Sequence, residues 1–171
     1  RVLFRSSQIL FVGTYTETIK FASGRVLQGG GRGIHTLRLG DDGSLTEIAA
    51  PMPARNPSFI AFDPRRYFLY ACNEMKELDG KFGGGASAFA VDDESGELTY
   101  LNTVATHGTD PCHLAVDRSG KHVLVANYSS GHTTVLPVRR DGSLGEASQV
   151  IEHTGSSLDP VRQTGPHCHH I

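Results

Sequence analysis

Glu74, His167 and His169 are the residues of this chain best suited to moving protons. A carboxylate at the end of an apolar run can act as a general base once partly buried, and an imidazole titrates near neutrality and serves as base or acid. Arg162 stands just before the histidines, and a guanidinium forks onto a phosphate or a carboxylate. Asn127 and Tyr128 add hydrogen-bond donors, and His113 is a further pocket candidate. Activating water, stabilising an oxyanion and seating an anion are tasks that such a set can divide. Each residue also has a plainer reading. Glu74 could be a solvated loop residue beside Lys76, Arg162 a surface cation, and the histidines hydrogen-bonded packing residues.

Other chemistries find less support. The run His167-Cys168-His169-His170 offers three imidazoles and a thiol, but successive strand residues face opposite sides, so at most two could reach one ion. No metal and no organic cofactor are expected. Gly83-Gly84-Gly85-Ala86-Ser87-Ala88 matches G-x-G-x-x-A, but a strand follows instead of a helix, so the phosphate-binding helix start is missing. There is no G-x-S-x-G elbow for a serine hydrolase. Three cysteines without C-x-x-C spacing argue against a disulfide framework or structural zinc, and Cys72 reads as a buried free thiol. A net charge of −2 and a pI near 6.5 give no electrostatic case for nucleic acid. No apolar run approaches the roughly 18 residues of a membrane span. The expected location is the cytoplasm.

The elements that must position these residues come from a repeat. Residues 56–74 (NPSFIAFDPRRYFLYACNE) align without a gap with residues 110–128 (DPCHLAVDRSGKHVLVANY). The match pairs Pro57 with Pro111, Asp63 with Asp117 and Asn73 with Asn127, and a third opening begins at Gly165-Pro166-His167-Cys168. His113 thereby shares a repeat position with Phe59 and Cys168, while Glu74 and Tyr128 share another. Short strands are predicted at 9–12, 34–39, 59–62, 68–72, 87–91, 98–104, 114–116, 122–126, 133–138 and 148–151, with His167 and His169 on one side of a further strand. Asp42-Gly43, Ser95-Gly96 and Asp141-Gly142 mark hairpins between outer strands. Four strands per repeat make a β-propeller blade, so the expected fold is all-β, with about three blades of a truncated propeller. Residues 9–171 are expected to form this partial domain, with 1–8 unassigned and Arg1 to Ser7 foreign to the protein. An isolated segment of this kind leaves a blade face and strand edges uncovered, and it is expected to be neither a stable monomer nor active alone.

In series, several short motifs resemble the seven-bladed propeller lactonases, the 6-phosphogluconolactonase family of the propeller type. They are Phe11-Val12-Gly13-Thr14-Tyr15-Thr16, Gly33-Ile34-His35-Thr36, Asn56-Pro57-Ser58-Phe59, Leu69-Tyr70-Ala71-Cys72-Asn73-Glu74, Pro111-Cys112-His113-Leu114, Val125-Ala126-Asn127-Tyr128 and Arg162-Gln163 with Gly165-Pro166-His167-Cys168-His169. Cys168 and His170 depart from the family's usual small residue or proline and its serine. The resemblance implies the N-terminal half of a seven-bladed ring that hydrolyses 6-phospho-D-glucono-1,5-lactone in the pentose phosphate route, with a small sugar lactone as partner. It also admits the carboxy-cis,cis-muconate lactonising enzymes of the same fold. A non-catalytic interaction scaffold is a third reading, without the WD or kelch signatures such platforms carry.

Overall fold

The computed structural model describes residues 8–20 and 24–171; Arg1 to Ser7, expected to be foreign, lie outside the described residues. The chain forms β1 (Gln8–Gly13), β2 (Ile19–Lys20), β3 (Val26–Leu27), β4 (Ile34–Leu39), β5 (Leu45–Glu47), β6 (Pro57–Phe62), β7 (Phe68–Asn73) and β8 (Glu77–Leu78). β9 (Lys81–Phe82), β10 (Gly85–Val91), β11 (Leu98–Ala105), β12 (Pro111–Val116), β13 (His122–Asn127), β14 (His132–Pro137) and β15 (Gln149–Glu152) follow. There is no helix among the described residues, hence none long and apolar enough to cross a membrane.

These strands assemble into antiparallel sheets in the orders β1-β4-β5, β6-β7-β10-β11 and β12-β13-β14-β15, with small hairpins β2–β3 and β8–β9 beside them. The second and third sheets are the two complete repeats seen in the sequence, and β6 packs against β12. Alternation along β7 explains the stacking. Leu69 and Ala71 enter one core cluster with Ile34 and Phe89, while Tyr70 and Cys72 enter another with Leu114, Val123 and Leu136. A strand buried on both faces must be apolar at every position, and β7 nearly is.

Turn chemistry repeats as faithfully as the strands. The Asp63 carboxylate accepts from the Phe68 backbone N–H at 2.8 Å, and Asp117 accepts from His122 at 3.0 Å. The outer hairpins carry glycines with left-handed backbones at Gly43, Gly96 and Gly142. Two of them touch the preceding sheet: the Thr36 hydroxyl donates to Gly96 O at 3.2 Å, and the Tyr70 hydroxyl to Gly142 O at 3.1 Å.

One expectation fails. Residues 153–171 contain no strand after β15, so His167 and His169 do not alternate within one. Strand conformation needs a ladder partner for its backbone groups. Here the carbonyls of Cys168 and His169 face the Cys112 thiol, at 3.7 and 3.6 Å, and the Ile171 N–H donates to a ring nitrogen of His113 at 3.3 Å.

Candidate active site

Each repeat delivers one side chain at the same station, just beyond its second strand. The Glu74 N–H donates to Asn56 O, and the Tyr128 N–H donates to Asp110 O, at 3.1 and 3.0 Å. Asn56 and Asp110 are equivalent residues with left-handed φ of 41° and 54°, a region that Asn and Asp tolerate best among residues with a Cβ. In the first sheet β1 pairs with β4 as β7 pairs with β10, and Tyr15 follows β1 as Glu74 follows β7. Tyr15, Glu74 and Tyr128, all half-buried, therefore stand at one end of three successive sheets.

Tyr128 gathers the predicted cation and both predicted imidazoles. The Arg162 guanidinium donates to its hydroxyl oxygen at 3.0 Å, so the phenol keeps its own proton for donation elsewhere. The His167 ring stacks on Tyr128 at 4.6 Å between centroids and 16° between planes. His169 meets the same ring edge-on at 5.4 Å. The two histidines thus face one residue, although no strand aligns them. A carbonyl can only accept, so the 3.0 Å contact from His167 Nδ1 to Tyr128 O places a proton on Nδ1, and in the neutral ring the free lone pair is then on Nε2. That is the tautomer a general base requires.

Glu74 forms the neighbouring group. Its Oε2 accepts from the Tyr15 hydroxyl at 2.9 Å. Burial and then the adjacent carboxylate hold the Tyr15 phenol well above its usual range, so it stays protonated and donating. Asn56 fixes both partners. Its side-chain oxygen accepts from the N–H groups of Thr16 and Glu17 at 3.0 and 2.8 Å, and its amide donates to Glu74 O at 3.2 Å. Cys112, on the strand β12 that packs against β7, has its thiol 3.6 Å from His169 O. Its thiol is pushed up to about 11 by burial and then by Glu74, which leaves it protonated and a poor nucleophile.

Two expected site residues stand elsewhere. Asn127 is fully buried, and its amide donates to His132 O and to the Thr134 hydroxyl at 3.2 and 3.1 Å. In the preceding blade Asn73 is likewise buried, donating to Arg55 O and accepting from the Ser87 hydroxyl. Burial removes Asn127 from the surface the other residues share. His113 is 8 % exposed and lies between the rings of Phe59 and His170, with centroids 4.1 and 3.8 Å away. It packs between neighbouring elements, the plainer of its two readings. The repeat would place Cys168 over His113, but His170 is there.

Sequence reasoning did not single out Tyr15 or Cys112. Tyr15 falls in the family-like run Phe11 to Thr16 and closes an apolar strand, but the first sheet lacks a gap-free copy of the 56–74 pattern that would align it with Glu74. The site is open. A cavity of about 640 Å³ lies at the other end of the sheets beside Phe62, Arg66 and Asp92, and one of about 270 Å³ lies beside Arg55, Ser87 and Tyr100; neither is lined by Tyr128, Glu74 or the histidines. Among the described residues, no three His, Cys, Asp or Glu side chains converge as a metal site needs.

Comparison with known proteins identifies the family and the fold. The family described as Lactonase, 7-bladed beta-propeller, matches residues 9–171. The chain belongs to this family. It is 36 % identical over 161 residues to a 6-phosphogluconolactonase of Bacillus subtilis (strain 168), an alignment covering 94 % of this chain and 41 % of the relative. A solved structure of a candidate 6-phosphogluconolactonase from Bacteroides fragilis NCTC 9343 superposes with a TM-score of 0.82 at 37 % identity, over 98 % of this chain and 42 % of that one. A periplasmic gluconolactonase from Pseudomonas aeruginosa superposes with a TM-score of 0.75 at 33 % identity, over 90 % and 40 %. The chain therefore spans about two fifths of the length of these lactonase-family proteins.

Proposed function

We propose that the protein hydrolyses a sugar lactone, 6-phospho-D-glucono-1,5-lactone, to the open acid. The observation that carries this reading is the convergence of Arg162, His167 and His169 on Tyr128. His167 Nε2 takes a proton from water as the oxygen attacks the lactone carbonyl. The Tyr128 hydroxyl, already accepting from Arg162, donates to the oxyanion. Collapse of the tetrahedral intermediate breaks the ring ester bond, and the imidazolium returns its proton to the departing ring oxygen. The remaining guanidinium N–H groups of Arg162 seat the phosphate. Water is the only co-reactant, so no organic cofactor enters the scheme.

The relatives named as 6-phosphogluconolactonases support the phosphorylated substrate, and the periplasmic relative supports a bare sugar lactone. Location and substrate are coupled, because a phosphate group does not cross a bilayer unaided. A phosphorylated substrate goes with a cytoplasmic enzyme, and cell fractionation tests that half of the reading.

The assignment of Arg162 is tested in the full-length protein. Arg162→Ala should raise KM for the phosphorylated lactone on the order of tenfold to a hundredfold, through loss of a charge-assisted contact, and should leave KM for the unphosphorylated lactone nearly unchanged. Equal effects on both substrates would defeat the assignment. Turnover of a carboxy-muconate lactone in place of either would move the protein to the lactonising branch, and turnover of none would favour a scaffold.

A further inference from the structure

The mouth formed by the three blade stations carries opposite chemistry on neighbouring blades. At Tyr128 the Arg162 guanidinium offers N–H donors, with the rings of His167 and His169 beside it. At Glu74 a carboxylate offers acceptors. Oε2 of Glu74 is taken by the Tyr15 hydroxyl, and Oε1 has no hydrogen-bond partner among the described residues. The two groups are joined through β12: it packs against β7, which ends just before Glu74, and its Cys112 thiol lies 3.6 Å from His169 O. The carboxylate is held in place and only half-buried. Tyr15 binds it from the preceding sheet, and Asn56 ties the Thr16–Glu17 backbone to Glu74 O. The Glu17 carboxylate adds an ion pair with the Arg55 guanidinium, whose Nη2 lies 3.1 Å away.

A fixed carboxylate with one free oxygen accepts a hydrogen bond from a hydroxyl and repels another anion. Resting on the hydrolytic reading above, we propose that Glu74 determines specificity by accepting a hydroxyl of the substrate's sugar ring, with Tyr15 as its positioning residue. The preferred substrate class is then a polyhydroxylated lactone with a single anionic end, lodged at Arg162. A lactone carrying a second carboxylate is refused at Glu74, since an unpaired anion beside a carboxylate costs binding without any steric clash. Glu74 is not the proton acceptor in this scheme; His167 keeps that role.

Steady-state kinetics of full-length Glu74→Gln and Tyr15→Phe, with the phosphorylated sugar lactone as substrate and a dicarboxylate lactone as competitor, tests this. Glu74→Gln should raise KM about tenfold, keep kcat within about threefold, and lower the inhibition constant of the dicarboxylate lactone about tenfold, because attraction to a hydroxyl weakens and repulsion of an anion is lost. Tyr15→Phe removes one oxygen and keeps the ring. It should raise KM about threefold with kcat unchanged, and it decides the matter should Glu74→Gln fail to fold. A kcat loss of about a hundredfold with unchanged KM would make Glu74 the base and overturn the proposal. Unchanged KM and inhibition constants in an active background would overturn it too, while sparing the hydrolytic reading. A wild-type protein that opens no sugar lactone would sink both.

Discussion

At His113, burial between Phe59 and His170 penalises the charged ring, and the imidazoles of His170 and His169 add to that penalty. The folded-state pKa is therefore depressed below the unfolded value of about 6.5. The neutral ring contributes its full stability above that value, and the contribution is lost as pH falls below it, because the unfolded chain binds the proton more readily. His113→Phe installs the residue type found at the equivalent Phe59. Its melting temperature should fall less than that of the wild type between about pH 7.5 and 5.5. Parallel pH profiles would show that His113 is not the group responsible. The sequence supports either role for His113, because apolar packing and pocket lining use the same inward strand position. Asn127 misleads for a related reason: repeat equivalence identifies a shared position but not which way the side chain turns, and both asparagines turn into their own blades. Arg162, His167 and His169 are legible because charge and imidazole are costly to place without a partner, and the partner they share is Tyr128.

Among the elements, the hairpin from β12 to β13 depends on one carboxylate. Asp117 accepts from the Ser119 hydroxyl at 2.6 Å and from the N–H groups of Lys121 and His122 at 2.8 and 3.0 Å. Those bonds, the Ser119 hydroxyl foremost, lower its carboxyl to about 2. Stabilisation by the ionised form is complete above the unfolded pKa of about 4 and is lost as pH falls toward the folded one. Asp117→Asn should cost about 1–2 kcal/mol at neutral pH, with the gap to the wild type narrowing toward pH 2 in denaturant melts. A gap that persisted unchanged at low pH would assign the cost to shape and not to charge. The same aspartate at Asp63 makes this turn visible in the repeat without any strand being placed. The longer strands are legible because their alternation outlasts two residues, whereas the three-residue β5 is marked only by its turn at Asp42-Gly43. The β2–β3 and β8–β9 hairpins are not legible, since strands of two residues show no period. The stretch around His167 reads as a strand from repeat spacing alone, and spacing cannot supply the neighbour a strand must pair with.

Across the whole molecule, each blade is fastened to the one before it through its outer hairpin. A Cβ on Gly142 would lie 2.1 Å from the Phe68 ring, and Tyr70 donates to Gly142 O. Gly96 meets Ile9 and Thr36 in the same way. Gly43 occupies the corresponding turn of the first sheet, with φ of 82°, and no described atom lies within 4 Å of its Cβ position. The number of blades in the ring comes from family resemblance, because spacing counts only the repeats present. A closed ring nevertheless has a consequence for Gly43, since its hairpin must then dock on another blade. Gly142→Ala should cost about 2–4 kcal/mol, combining a left-handed alanine with a clash against an aromatic ring. Tyr70→Phe should cost about 1 kcal/mol through the carbonyl it leaves unpaired. In the full-length protein Gly43→Ala should match Gly142→Ala, since both turns would then be docked. A cost of only about 1–2 kcal/mol, the backbone penalty alone, would mean that no blade covers the first sheet's outer hairpin and that the ring is not closed there.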